Sequence, residues 1–178
     1  MRKLFLTGLI SAVLASTSVF GDDETTGSRA DDAAITARVK AALIRDDSAK
    51  ARQIDVETKG GVVQLSGFVE SHDVIEAAVK TAAALEGVEE VRNDLVVRDT
   101  DRTAGQTVDD TVIAAKVKTQ LAEDTDLSTA TDINVEVNNG VVQLSGFVAS
   151  VDAKTRAADS ASRVDGVRDV RNNLALEP

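Results

Sequence analysis

Only a few residues of this chain combine the types and spacing that catalysis requires. Ser71, His72 and Asp73 carry the three functional groups of a hydrolase triad in consecutive positions, and His72 is the one histidine of the sequence. Consecutive residues at the start of a helix point in different directions, so these groups do not converge on one substrate. In a similar stretch further along the chain, Val151 takes the place of His72. We therefore predict an exposed histidine, no catalytic residue and no enzymatic activity.

Acidic pairs are the other candidates for chemistry, because carboxylate oxygens bind hard divalent cations. Asp46-Asp47 and Asp124-x-Asp126 are such pairs, but neither has the central Gly and terminal Glu of an EF-hand at the required spacing. The chain has no Cys, no zinc-type His/Cys spacing and no Gly-rich phosphate loop followed by Lys and Ser or Thr. The sequence therefore predicts solvated loop acids, no metal site and no cofactor.

An internal repeat organises the chain after its first 30 residues. Residues 61–69 recur letter for letter as residues 140–148. A polar stretch without apolar periodicity, residues 99–107, lies between the two copies and is typical of a linker. The repeat therefore predicts two small domains, residues 31–98 and residues 108–178.

Each copy contains the same order of predicted elements. Apolar residues at four-residue steps predict an amphipathic first helix, in the first copy Ile35, Val39 and Leu43. Two strands with period-two alternation follow, and Asn139-Gly140 between the second pair is a strong hairpin signal. A second helix with a serine N-cap and a final strand complete the copy. We predict an α+β fold of two αββαβ modules, each a three-stranded mixed sheet with two helices on one face.

Some positions inside these elements have structural interpretations. Asp32 and Asp110 are expected in the first turn of a helix, where a carboxylate complements the helix dipole. Gly67 and Gly146 are expected to let a helix approach the sheet closely. Asn93, like its counterpart in the second copy, is expected to bond a nearby backbone group at the end of the sheet.

The first 21 residues predict export. A basic start precedes an apolar run that is too short to cross a bilayer, and small residues follow, as in a signal peptide. Val19 and Gly21 fit cleavage after Gly21, and cleavage after Ala15 is the alternative. We expect residues 22–30 to form a disordered tail. Because the chain has no Cys, we also expect it to lack the lipidated cysteine of a lipoprotein.

Net charge and aromatic content restrict the partners. The chain carries 20 basic and 30 acidic residues, and loss of the two basic residues of the leader brings the net charge to −12. Such a polyanion repels nucleic acid phosphates. With no Trp or Tyr and only four Phe, the chain also lacks aromatic platforms on which bases would stack. We predict no nucleic acid partner and no transmembrane segment.

Phe68 and Phe147 have the most unusual predicted environment. By alternation they lie with Gln64 and Gln143 on the sheet face opposite the helices, where a large ring is partly exposed unless something covers it. Two alternatives follow. Either the two modules cover each other's open faces, or these faces meet a lipid or a client protein.

The motifs of the repeat resemble the BON domain of bacterial osmotic-stress proteins. They are present in both copies, and in the first they are Val63-x-Leu65-x-Gly67-x-Val69 and Gly87-Val88-x-x-Val91-x-Asn93-x-Leu95. The resemblance implies a periplasmic protein of the osmotic stress response that contacts phospholipid surfaces or holds unfolded envelope proteins like a chaperone. A structural interaction module of an envelope assembly is the alternative function.

The resemblance also implies where a membrane would be met, since related proteins are thought to dock through the first helix of the second copy. Lys116 and Lys118 lie on that helix near Val112, and each contributes about 1 kcal/mol near an anionic surface. The alternative is that both lysines are merely solvated and pair with acidic neighbours. The candidate lipid or client contacts are therefore Lys116, Lys118, Phe68 and Phe147.

Overall fold

The helices and strands follow the order that the repeat predicts. The computed structural model describes residues 24–46, 53–98, 104–123 and 133–178. Module 1 contains α1 (Glu24–Arg45), β1 (Asp55–Lys59), β2 (Val62–Val69), α2 (His72–Ala83) and β3 (Glu90–Val97). Module 2 contains α3 (Ala104–Glu123), β4 (Asn134–Asn138), β5 (Val141–Ser145), β6 (Phe147–Val148), α4 (Val151–Ser162), β7 (Asp169–Asn172) and β8 (Ala175–Leu176).

Each module is built on a mixed sheet whose middle strand is the second of the hairpin. In module 1, β2 pairs antiparallel with β1 and parallel with β3. In module 2, β5 pairs in the same way with β4 and β7. Beyond Gly146 the parallel pairing continues as β6 with β8. The predicted α+β fold with three-stranded mixed sheets is confirmed.

The hydrophobic core of each module lies between its two helices and one face of its sheet. The helix stripes predicted from periodicity supply one side of each core, and the inward residues of the middle strand supply the other. The corresponding fully buried strand residues are Val63 and Leu65 in module 1 and Val142 and Leu144 in module 2. The opposite sheet face takes no part in these cores, and its polar side chains are free to form the contact described below.

Both first helices begin earlier than predicted. Helix α1 begins at Glu24, inside the predicted disordered tail, and α3 begins at Ala104, inside the predicted linker. Their leading residues show no apolar stripe, so periodicity does not detect them. Adding residues to an existing helix is much easier than nucleating one, because each forms a hydrogen bond. Residues 1–23, with the predicted leader, lie outside the described residues.

The carboxylates of Asp32 and Asp110 close the hairpin turns. Gly60 N and Gly61 N donate to the two oxygens of Asp32 at 2.9 and 3.0 Å. Asp110 accepts from the two turn residues of the second hairpin, both at 2.8 Å. We expected these two aspartates in the first turn of a helix, which was wrong because α1 and α3 begin earlier than predicted. Each carboxylate instead fixes the hairpin to its first helix.

Gly67 accommodates the backbone before β1 and not a helix. Its φ is 124°, and a Cβ at this position would clash with the carbonyl oxygen of Gln53. Gly146 has nearly the same φ, 120°. The expected helix approach at Gly67 was therefore wrong, because the positive φ bends the strand and turns its amide out of the sheet.

Candidate functional site

The open sheet faces of the two modules cover each other. Gly146 N donates to Gln64 Oε1 at 2.8 Å, and Gly67 N donates to Gln143 Oε1 at 3.1 Å. Between them the hydroxyls of Ser66 and Ser145 are 2.7 Å apart. Both glutamines are only 1% exposed. The first of the two alternatives for the open faces is thus confirmed.

An approximate two-fold axis relates the bonds of this interface. Gln64 Nε2 donates to the carbonyl oxygen of Asn173 at 2.7 Å, and Gln143 Nε2 donates to that of Asp94 at 2.5 Å. Asn173 Nδ2 donates to Asp94 Oδ1 at 2.6 Å, close to the axis. Exchanging the modules converts the bond of Gln64 to Asn173 into the bond of Gln143 to Asp94, and it maps the pair of Asp94 and Asn173 onto itself. The buried amides are therefore satisfied by residues that the repeat duplicates.

One symmetric pair contains two carboxyl groups. Asn134 Nδ2 donates to Glu57 Oε1 at 3.0 Å, whereas the equivalent pair, Asp55 and Glu136, has no amide. Burial raises the pKa of Glu136 to about 7, and the negative charge of Asp55 and a hydrogen bond with it act in the same direction. Phe68 N, at 3.2 Å, is a donor that favours the ionised form. Below about pH 7 the protonated carboxyl of Glu136 is therefore the hydrogen-bond donor at the position of the missing amide.

The two phenylalanines have different environments. Phe147 is 6% exposed and lies outside the hydrophobic cluster under the helices. Phe68 is half-buried and lines a cavity between the modules together with Glu136. In this arrangement neither ring offers a broad apolar surface to a lipid or a client.

The two candidate lysines lie on different sides of α3. Lys116 lines a cavity of about 360 Å³ with Arg168 and with Val112, which is 48% exposed. Asp109, Asp110 and Asp165 line the same cavity, so it contains three acidic and two basic side chains.

Lys118 is two residues further along α3, about 200° around the helix from Lys116. It is also exposed, but its charge acts on Glu136 and lowers the pKa of that carboxyl. The structure therefore groups Val112, Lys116 and Arg168 into one surface, named here the α3 basic face, and leaves Lys118 outside it.

The predicted structural roles of the other polar residues hold where the structure describes them. His72 is exposed at the start of α2, and Ser71 Oγ accepts from Val74 N as the predicted N-cap. Asn93 Oδ1 accepts from Leu95 N at 3.1 Å, which is the expected local backbone bond.

The predicted acidic pairs lie mostly outside the described residues. Asp47, Asp124 and Asp126 belong to segments that the structure does not describe. Asp46 lies within the described residues, and its Oδ2 accepts a hydrogen bond from Thr81 Oγ1 at 2.8 Å. Within the described ranges, no group of three or more His, Cys, Asp or Glu could hold a metal ion. The helices that the structure describes are all too short or too polar to cross a membrane.

Sequence reasoning missed the polar residues at the margin of the interface. Position-by-position comparison of the two copies was the available signal, because these residues differ while the Gln-x-Ser-Gly segments at the interface are identical. The differing pairs are Asp55 and Asn134, Lys59 and Asn138, and Arg98 and Glu177.

The repeated αββαβ module, with its sheet covered by a second copy of itself, defines a tandem two-domain α+β protein. The sequence profile of the BON domain matches residues 31–99 and 109–178. The chain therefore belongs to the BON domain family and contains two BON domains in tandem.

Three curated relatives agree with this assignment. Osmotically-inducible protein Y of Escherichia coli K12 is 44% identical over 149 residues, which are 83% of this chain and 74% of the relative. Outer membrane lipoprotein DolP of Haemophilus influenzae is 34% identical over 172 residues, which are 94% of this chain and 88% of the relative. A 21 kDa hemolysin of Actinobacillus pleuropneumoniae is 31% identical, with 84% and 76% covered.

A solved structure shows a more distant similarity. The C-terminal domain of CdsD, a structural protein of the type III secretion system of Chlamydia trachomatis, matches with a TM-score of 0.34 and 16% identity. The match covers 83% of this chain and 67% of that structure.

Proposed function

We propose that this chain is an exported, periplasmic binding protein of the osmotic stress response that contacts anionic phospholipid surfaces and performs no catalysis. Membership in the BON domain family and similarity to an osmotically inducible protein and to an outer membrane lipoprotein support this proposal. The structural observation that carries it is the α3 basic face, where half-exposed Val112 adjoins Lys116 and Arg168.

The α3 basic face suits weak and reversible attachment. A partly exposed valine can enter the headgroup region, and each basic residue contributes about 1 kcal/mol near an anionic surface. Asp109, Asp110 and Asp165 also line the cavity and oppose this attraction, and the net charge of the whole chain is −10. Binding should therefore weaken strongly as salt screens the basic residues.

Holding unfolded envelope proteins is a second candidate activity, which the resemblance implies. The open sheet faces, which would otherwise be available to a client, are occupied by each other in this arrangement. The described residues favour lipid contact for this reason. Adding a chemically unfolded envelope protein to the binding assay tests the second activity, and suppression of its aggregation would support it.

Co-sedimentation with phosphatidylglycerol vesicles at low and high salt tests the lipid activity. We expect Lys116→Glu to weaken binding roughly tenfold at low salt, because it replaces an attraction with a repulsion at the docking face. Lys118→Glu is the matched control, since it makes the same charge change on the other side of α3. Equal binding by the wild type and Lys116→Glu, or loss only in Lys118→Glu, would place the docking surface elsewhere.

The proposed location has its own test. Export through the predicted leader should leave a mature chain that begins at Asp22, after cleavage at Gly21. Mass spectrometry of a periplasmic extract measures this directly. A full-length form that begins at Met1 and occurs only in the cytosol would contradict the proposal.

A further inference from the structure

The two ends of the interface between the modules are equivalent by symmetry but unequally paired. At one end, Lys59 Nζ forms an ion pair with Glu177 at 2.9 Å. The equivalent positions at the other end are Asn138 and Arg98. There, both polar atoms of the Asn138 side chain and two nitrogens of Arg98, Nε and Nη2, are buried without a hydrogen-bond partner in the described part of the chain.

Such unpaired groups are unusual. Asn138 is only 4% exposed, and a buried amide without a partner costs free energy comparable to a lost hydrogen bond. A guanidinium without an acceptor costs more, because it is charged. The N–H groups of Nε and Nη2 point in parallel on one edge of the guanidinium, which is the fork that binds a planar carboxylate through two hydrogen bonds.

A cavity connects these side chains. It has a volume of about 610 Å³ and is lined by Arg98 and Asn138, by Phe68, and by the neighbouring residues of edge strand β4. It is thus far larger than a single water molecule needs, and it offers both an apolar wall and polar groups.

The charges around the cavity favour a singly charged anion over a doubly charged one. Asp110 and Glu136 also line it, so a dianion such as phosphate meets more repulsion than a carboxylate does. The groups that act on Glu136 are Asp55, the amide of Phe68 and Lys118. Because burial raises the pKa of Glu136 to about 7, this carboxyl loses much of its charge below neutral pH.

We propose that this cavity binds a carboxylate group, held by the guanidinium fork of Arg98 and the side-chain amide of Asn138. The bound group supplies at this end the negative charge that Glu177 supplies beside Lys59 at the opposite end of the interface. The site contains none of the residues Val112, Lys116 and Arg168, although Asp110 lines both cavities, and it does not depend on the lipid activity. Both a peptide carboxylate and a small organic acid have the required chemistry.

Nuclear magnetic resonance of the full chain tests the site. The probes are the peptide acetyl-Ala-Val-Ala as the free acid, the same peptide as the C-terminal amide, and sodium acetate. We expect the acid to shift the Arg98 Nε–Hε and Asn138 side-chain amide resonances and to bind at least tenfold more tightly than the amide. Binding of acetate as strongly as the acid would identify a small carboxylate as sufficient, and weaker binding would identify the peptide as the better source.

Equal binding of acid and amide, or no shift with any probe, would overturn the proposal. Arg98→Gln should abolish the shifts of the Asn138 amide while the rest of the spectrum keeps its folded dispersion. The double substitution Arg98→Glu with Asn138→Lys installs at this end the ion pair that Lys59 and Glu177 form at the other. We expect it to fold and to lose binding of the acid, whereas retained binding would contradict the assignment.

Discussion

The two modules have one fold but different surfaces. Both bury the same helix stripe and the same side of the middle strand, and both place the Gln, Ser and Gly of an identical Gln-x-Ser-Gly segment on the interface. Outside this shared part, module 2 exposes Val112 on its first helix where module 1 has Ala34. The comparison teaches that residues shared by the copies build and join the modules, whereas residues that differ provide the candidate binding surfaces.

The margin of the interface shows the same division. Lys59 and Glu177 close one end with an ion pair, while Asn138 and Arg98 leave the other end unpaired. The carboxyl group of Asp55 faces the carboxyl group of Glu136. At the equivalent place, Asn134, the counterpart of Asp55, donates to Glu57. In the described part of the chain, one end of this nearly symmetric contact has its polar groups paired, and the other end leaves polar groups of Arg98 and Asn138 without partners.

The largest expected effect tests the symmetry itself. We expect Gln64→Ala and Gln143→Ala each to lower the free energy of unfolding by about 2–4 kcal/mol, because each leaves buried groups without a partner across the interface. Gly146 N loses its acceptor in the first variant, and Gly67 N loses its acceptor in the second. Urea denaturation measures both. Effects that differ by more than about 2 kcal/mol would break the equivalence of the two halves.

A smaller effect concerns the carboxyl pair. The pKa of Glu136 in the folded chain is raised to about 7 from 4.5, so the folded state binds the proton more tightly than the unfolded state. The stability that the folded chain gains by protonating Glu136 is complete below about pH 4.5, and it is lost as the pH rises through about 7. After allowance for solvent screening of this half-buried group, we expect the change to be about 1–2 kcal/mol.

Glu136→Gln isolates this effect, because an amide at position 136 can donate to Asp55 as Asn134 donates to Glu57. The variant should be more stable than the wild type at pH 8 by about 1–2 kcal/mol and should lose the advantage at pH 5. Urea titrations across this range measure the difference. Glu57→Gln is the matched control, and a pH dependence that is the same in both variants would contradict the assignment to Glu136.

The smallest expected effect concerns the ion pair at the closed end. Removing one partner of a partly exposed pair costs little, so Lys59→Ala should lower the free energy of unfolding by about 0.5 kcal/mol at low salt and less at high salt. Lys40→Ala on the exposed side of α1 controls for the loss of a lysine. A loss above about 2 kcal/mol would show that the pair is essential to the interface.

The fold was accessible from the sequence because its signals are local. Periodicity, the Asn139-Gly140 turn and the serine caps each act over a few residues, and the structure contains the corresponding helices, hairpins and caps. The helix starts at Glu24 and Ala104 escaped prediction because the sequence of their leading turns has no apolar periodicity.

The candidate sites were less accessible because their partners are far apart in the sequence. Alternation placed Gln64 on the open face, but it does not say that Gly146 lies opposite, 82 residues away. Spacing along a helix of 3.6 residues per turn could have separated Lys116 from Lys118. The grouping of Lys116 with Arg168 required the packing of α3 against the end of the second sheet, which no local pattern reports.

The identity of the residues on both sides of the central contact has an evolutionary consequence. A surface whose donors and acceptors complement a copy of themselves fits two identical single-module chains as well as two halves of one chain. Fusing such chains replaces association between molecules with contact within one molecule, at an effective concentration in the millimolar range for a short connection. After fusion, each position needs to serve only one half of the contact. Duplication of an ancestral homodimer therefore accounts for a conserved centre surrounded by the diverged pairs at positions 59 and 138 and positions 98 and 177.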